Sequence, residues 1–78
     1  MPTVLQEDGF DVMIYTHDHE PKHVHVFRAE GEITINLEDL SVRSSYEMKG
    51  KDARRAQEIV AENRDFLLGE CDRINPIP

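Results

Sequence analysis

Residues His23 to Leu37 read His-Val-His-Val-Phe-Arg-Ala-Glu-Gly-Glu-Ile-Thr-Ile-Asn-Leu, and how this stretch is read decides the fold. Apolar and polar side chains alternate on either side of Ala29-Glu30-Gly31-Glu32, the period-two pattern of two strands joined by a tight turn. Strands are therefore expected over residues 23–29 and 32–37, with Gly31 supplying the positive φ of the hairpin. Whether the loop holds two or four residues, the expected pairing sets Val26 against Ile35 and Val24 against Leu37. On the other face His25 meets Asn36, His23 meets Glu38 and Phe27 meets Thr34. A three-residue loop would slip the register and mix the two faces.

Upstream, Phe10, Val12 and Ile14 alternate with Asp11, Met13 and Tyr15, a strand over residues 10–16. Glu7-Asp8-Gly9 reads as a turn, and residues 3–5 as a short edge strand beside Pro2. Residues 17–22 form a loop, because Pro21 removes a ladder donor and holds Glu20 extended. Downstream, residues 40–46 are a candidate fourth strand of the main sheet. Ala53, Ala56, Ile59, Val60, Leu67, Cys71 and Ile74 then recur at helical spacing, a helix over about 51–73. Asp52 suits its positive end, Asn75-Pro76 stops it, and Gly69 weakens it by roughly 1 kcal/mol.

The expected fold is α+β and fills residues 1–78 as a single small domain. A three- to four-stranded antiparallel sheet carries one long C-terminal helix packed on one face. That face is Val24, Val26, Ile33, Ile35 and Leu37, and the histidine face is left open to water or to a partner. One conflict remains: a symmetrical 17–22 loop would place Val12 and Ile14 on the histidine side. An odd loop length, a bulge or a neighbouring chain would resolve it.

Composition narrows the function classes. A 78-residue chain with five aromatics and no Trp has a thin core, which makes self-association a reasonable expectation. Sixteen acidic against nine basic residues give −7, which argues against nucleic-acid binding driven by the whole molecule's charge. Arg54, Arg55 and Arg64 form the one local stripe that could meet phosphate, although such a stripe is usually the solvated side of a helix. The single Cys71, on the apolar stripe, reads as a small buried hydrophobe in a reducing compartment. With neither an apolar run of about 20 residues nor a signal-like start, the chain is expected to be cytoplasmic and away from membranes.

Chemistry concentrates between His17 and His25, where all four histidines lie. His23 and His25 project from one strand face about 7 Å apart along the backbone. Such a pair is a bidentate clamp for a divalent transition metal such as zinc, with His19, His17 or Glu20 from the loop completing the set. A catalytic reading takes His23 or His25 as proton acceptor, with Glu20 or Glu38 as the orienting carboxylate and Ser44, Ser45 or Tyr46 offering hydroxyls. No nucleophile motif of recognisable spacing accompanies them. The plainer reading is a polar strand face whose histidines are satisfied by Asn36 and Glu38. Protonating all four histidines would take −7 to −3, a range that cytoplasmic pH does not explore.

Met1-Pro2-Thr3-Val4-Leu5, His19-Glu20-Pro21-Lys22-His23-Val24-His25-Val26 and Glu62-Asn63-Arg64 together resemble a small prokaryotic family, domain of unknown function 4160. The resemblance spans nearly the whole chain. Its His-Glu-Pro-x-His-Val-His motif falls on His19, Glu20, Pro21, His23 and His25 and leaves His17 outside. It implies a short, stand-alone protein encoded beside a second small protein, an arrangement suggestive of a toxin–antitoxin pair. Two positions depart from the family pattern. Lys49-Gly50 replaces a Ser or Thr helix cap, a loss of roughly 1 kcal/mol, and Cys71 replaces Trp.

The leading expectation is a partner-dependent component of a two-gene, toxin–antitoxin-like module, with His19, His23 and His25 as its functional surface. A metal-dependent or histidine-based hydrolase, such as a nuclease, is the second, and a non-catalytic protein-interaction module the third.

Overall fold

The structure is a computed structural model and describes residues 3–16 and 21–76. It is α+β, as expected, but the described residues form five strands and two helices instead of three to four strands and one long helix. The strands are β1 (Thr3–Glu7), β2 (Phe10–Met13), β3 (His23–Arg28), β4 (Gly31–Asn36) and β5 (Val42–Tyr46); the helices are α1 (Gly50–Glu62) and α2 (Arg64–Ile74). All neighbours pair antiparallel in the order β1-β2-β3-β4-β5, a meander in which each strand folds back on the one before.

The β1–β2 turn is Asp8-Gly9, both at positive φ, matching the twist of the strands it joins. The β3–β4 turn differs from expectation. Arg28 pairs with Gly31, so the loop is Ala29-Glu30, and Ala29 rather than Gly31 takes the positive φ, at 53°. Val26 therefore meets Ile33 and Val24 meets Ile35, while His25 meets Thr34, His23 meets Asn36 and Phe27 meets Glu32. The slip from the expected register is two residues, and an even slip leaves both faces intact. Gly31 is needed for space: a Cβ there would collide with the backbone carbonyl oxygen of Glu47.

The Val12 conflict resolves through odd loop length. Nine residues, 14–22, connect β2 to β3, so Val12 pairs with Val26 on the core face and Met13 with His25 on the other. Ile14, just past the strand, is buried as well.

Val12, Val24, Val26, Ile33, Ile35 and Leu37 meet Ala56, Ile59, Val60, Leu67 and Cys71 of the helices in one buried cluster. Both helices thus cover the same face of the sheet. The helix expected to run unbroken to residue 73 is interrupted at Asn63, whose φ of −114° leaves the α region. Asn63 ties off α1 by donating its side-chain amide to the Ile59 carbonyl, and its own carbonyl accepts from Leu67 at the start of α2. Arg64, one residue on, donates to the carbonyls of Leu37 and Glu38 at the end of β4. Glu62-Asn63-Arg64 is therefore the joint between the two helices, and Arg64 ties it to the sheet just past β4. Lys49 holds the N-cap position of α1 with no side-chain bond to the helix, as its chemistry requires. Among the described residues, no helix is long and apolar enough to cross a membrane.

Candidate functional site

Among the described residues, no helix packs on the second face of the sheet. Register arranges its side chains in rows across the strands. One row is Thr3, Met13, His25, Thr34 and Ser44; the next is Gln6, Asp11, Phe27, Glu32 and Tyr46; His23 and Asn36 begin a third. A bulge between the Thr34 and Ile35 pairings admits one extra residue into β5, and Arg43 reaches from there toward His23.

His23 and His25 share this face, as their spacing implies, with ring centroids 5.1 Å apart in an edge-to-face arrangement. Both are more enclosed than an open strand face suggests: His23 is 8% exposed. Tyr15 stacks on His25 with centroids 3.9 Å apart and ring planes 13° from parallel. His25 Nδ1 lies 3.4 Å from the Thr34 hydroxyl and 3.5 Å from a Glu32 carboxylate oxygen, long contacts that orient the ring loosely. His23 Nδ1 lies 2.9 Å from the Pro21 carbonyl oxygen and 2.8 Å from Arg43 Nη1. With Nδ1 so enclosed, a metal ion would have to use the other ring nitrogen of His23.

Surrounding contacts fix this corner. Lys22 pairs with Asp72 of α2 at 2.6 Å, and its carbonyl accepts from the Leu37 amide. Asn75 donates to the Tyr15 carbonyl, and buried Cys71 sits with its sulfur 3.9 Å from the His23 carbonyl. Cys71 is thus a core side chain beneath the histidine strand. Asn36 donates to the Ser41 hydroxyl, while its buried Oδ1 has no hydrogen-bond partner among the described residues.

Of the residues expected in the site, His23 and His25 are together. Glu38 is not with them: the two-residue register difference sets Asn36 opposite His23, and Glu38 is exposed in the turn after β4. Glu32 is the carboxylate at His25 instead. His17, His19 and Glu20 lie outside the described residues, and among the described residues no group of three metal-binding side chains converges. Tyr15, Glu32, Thr34 and Arg43 were not anticipated. The correct register would have given Glu32 and Thr34; the bulge that delivers Arg43 leaves no sequence signal.

The arginine stripe expected as a phosphate contact is largely consumed by the fold. Arg55 bonds Asp8, Glu7, Glu58 and Glu62, and Asp8 foremost, then Glu58 and Glu62, raise its pKa still further. Arg64 is spent on two carbonyls.

No curated protein and no solved structure matches this chain. A family model does match, that of Domain of unknown function (DUF4160), over residues 9–70. This range takes in the histidine strand, the open sheet face and the Asn63 joint. The chain belongs to the DUF4160 family.

Proposed function

We propose that this protein is a cytoplasmic, partner-dependent component of a two-gene, toxin–antitoxin-like module, and that its partner docks on the open sheet face and the β5 edge. One observation carries this reading: among the described residues neither helix packs on the face opposite the core, and β5 at the edge of that face is exposed at all five of its residues. Tyr46 is 67% exposed there, in the row that also holds Phe27, while Met13 lies one row away. Mixed apolar and polar side chains on a flat face suit a protein contact better than a small-molecule site, which calls for a cavity. An unpaired strand edge can also accept a further strand. The net charge of −7 favours a basic partner. The test is co-expression with the product of the neighbouring gene, a tag on that partner, and growth measured with each gene alone and with both. Co-purification supports the reading; no co-purification together with unchanged growth in every case defeats it. A second copy of this chain is the competing occupant, and sizing of the isolated protein identifies it.

A second reading, a metal-dependent or histidine-based hydrolase, is favoured by the Glu32–His25–Thr34 grouping. A carboxylate at Nδ1 orients an imidazole for general-base work, and such bonds tighten when substrate binds. His23, His25 and the motif residues His19 and Glu20 would be its working groups. Metal analysis of protein purified without an affinity tag, with an NMR titration of the histidines, tests it. Absence of stoichiometric metal combined with unperturbed histidine titration would sink it.

A further inference from the structure

The sheet has two edges, β1 and β5, and they are not alike. β1 is blunted in three ways: Val4 and Leu5 pack against the core, a bulge breaks its pairing between Thr3 and Leu5, and Glu7 is bonded to Arg55 of α1. β5 reads Val-Arg-Ser-Ser-Tyr, without the proline or lysine that commonly guards an edge. Its bulge lies at Arg43, so residues 44–46 keep a regular register with β4. Val42 and Ser45, paired with the core residues Ile35 and Ile33, are exposed too. Among the described residues, nothing therefore shields β5 from the helix side. The backbone groups of an edge strand that turn away from its neighbour are a template for another strand.

Charge selects which strand fits. The row Gln6, Asp11, Phe27, Glu32 and Tyr46 crosses the open face, and its charged members, Asp11 and Glu32, are both acidic. Glu30 and Glu47 are exposed at the same end of the sheet. Of the basic residues there, Arg28 donates to the Asp8 carbonyl and lies 3.7 Å from Asp52. Lys49, Lys51 and Arg54 belong to the start of α1, in the helix layer. Arg43 lies toward the opposite end, beside His23, where the chain also leaves β2 at Met13 and enters β3 at His23.

We propose that the partner presents an extended segment that pairs with β5 as a sixth strand and sets a lysine or arginine across the Tyr46 ring toward Glu32. The proposal rests on the partner reading above and names the mode and chemistry of that contact. A side chain on the added strand starts about 10 Å from β4, two strand spacings away. A lysine or arginine spans this gap by lying over Tyr46, 67% exposed, where ring face and carboxylate both attract it. Main-chain bonds supply the affinity of such an arrangement, and the side-chain contact its selectivity.

The test follows amide hydrogen exchange in β5 of the full chain by NMR, with and without the tagged product of the neighbouring gene. In the free chain the β5 amides turned away from β4, every second one, exchange fast. In the complex they should gain at least about tenfold protection. Glu32→Gln should weaken capture by roughly two- to fivefold, the range for an exposed ion pair. Capture without added protection of those amides overturns the proposal and leaves the partner reading standing; no capture of the unaltered chain defeats both. Glu32→Gln captured as tightly as the unaltered chain overturns the basic contact. Protection of the same amides in the isolated chain, rising with its concentration, would assign the edge to a second copy and overturn the proposal as well.

Discussion

Lys49→Ser should make this protein more stable. Lys49 occupies the N-cap of α1 with extended backbone, φ −66° and ψ 150°, the conformation from which a short side chain reaches back to the helix. The first backbone bond of the helix runs from the Ala53 amide to the Lys49 carbonyl, which leaves the amides of Gly50, Lys51 and Asp52 as orphan donors. A serine hydroxyl would take one of them, for about 1 kcal/mol. Removing a positive charge from the positive end of the helix dipole adds about 0.3–1 kcal/mol. Together these come to about 1–2 kcal/mol, and a domain this small gains about 4–8 °C in melting temperature per kcal/mol. Thermal unfolding followed by circular dichroism reads this directly. Lys51→Ser is the control, since it removes the same charge within the first turn of the helix but cannot cap it. An unchanged or lower melting temperature for Lys49→Ser, or an equal gain for Lys51→Ser, refutes the reasoning.

Three further outcomes follow from the hairpins and the surface charges. Gly31→Ala drives a methyl into the Glu47 backbone carbonyl and should cost about 1–3 kcal/mol by urea unfolding; a neutral result would mean that β5 shifts freely. Ala29→Gly should gain about 1 kcal/mol, since Ala29 sits at φ 53°, where glycine carries no Cβ penalty; a loss would contradict the two-residue turn. Glu70 and Asp39 have pKa values lowered by Arg73 and by Ser41 respectively, so each stabilises the fold above the ordinary carboxylate range and loses that contribution as pH falls through its lowered value. Glu70→Gln should flatten the acid side of the stability profile, and a profile parallel to that of the unaltered chain would refute this.

How much of this was legible in the sequence depended on which signal was periodic. Alternation alone places Val24, Val26, Ile33, Ile35 and Leu37 in the core, and all are buried. Alternation fixes a face but not a register, so pairing His23 with Glu38 instead of Asn36 went unnoticed by every apolar position. Turn chemistry misled for the same reason: a glycine in the loop invited the positive φ, which Ala29 takes while Gly31 serves close packing. The helix stripe continued through Asn63, and nothing in its spacing revealed the break. The site was legible at His23 and His25, whose shared face is a local property. Arg43 and Tyr15 reach them through a bulge and a strand end, which are tertiary features.

On the proposed reading, this protein meets its partner on the sheet face opposite the helices, at the exposed β5 edge. Tyr46→Asp places a charge on that face at an exposed edge residue, and Phe66→Asp does the same on the solvent side of α2, where Phe66 is 49% exposed. With both variants checked for folding by circular dichroism, pull-down by the tagged product of the neighbouring gene discriminates the two surfaces. Tyr46→Asp is expected to abolish capture and Phe66→Asp to retain it. Capture lost only with Phe66→Asp, or no capture of the unaltered chain, would contradict it.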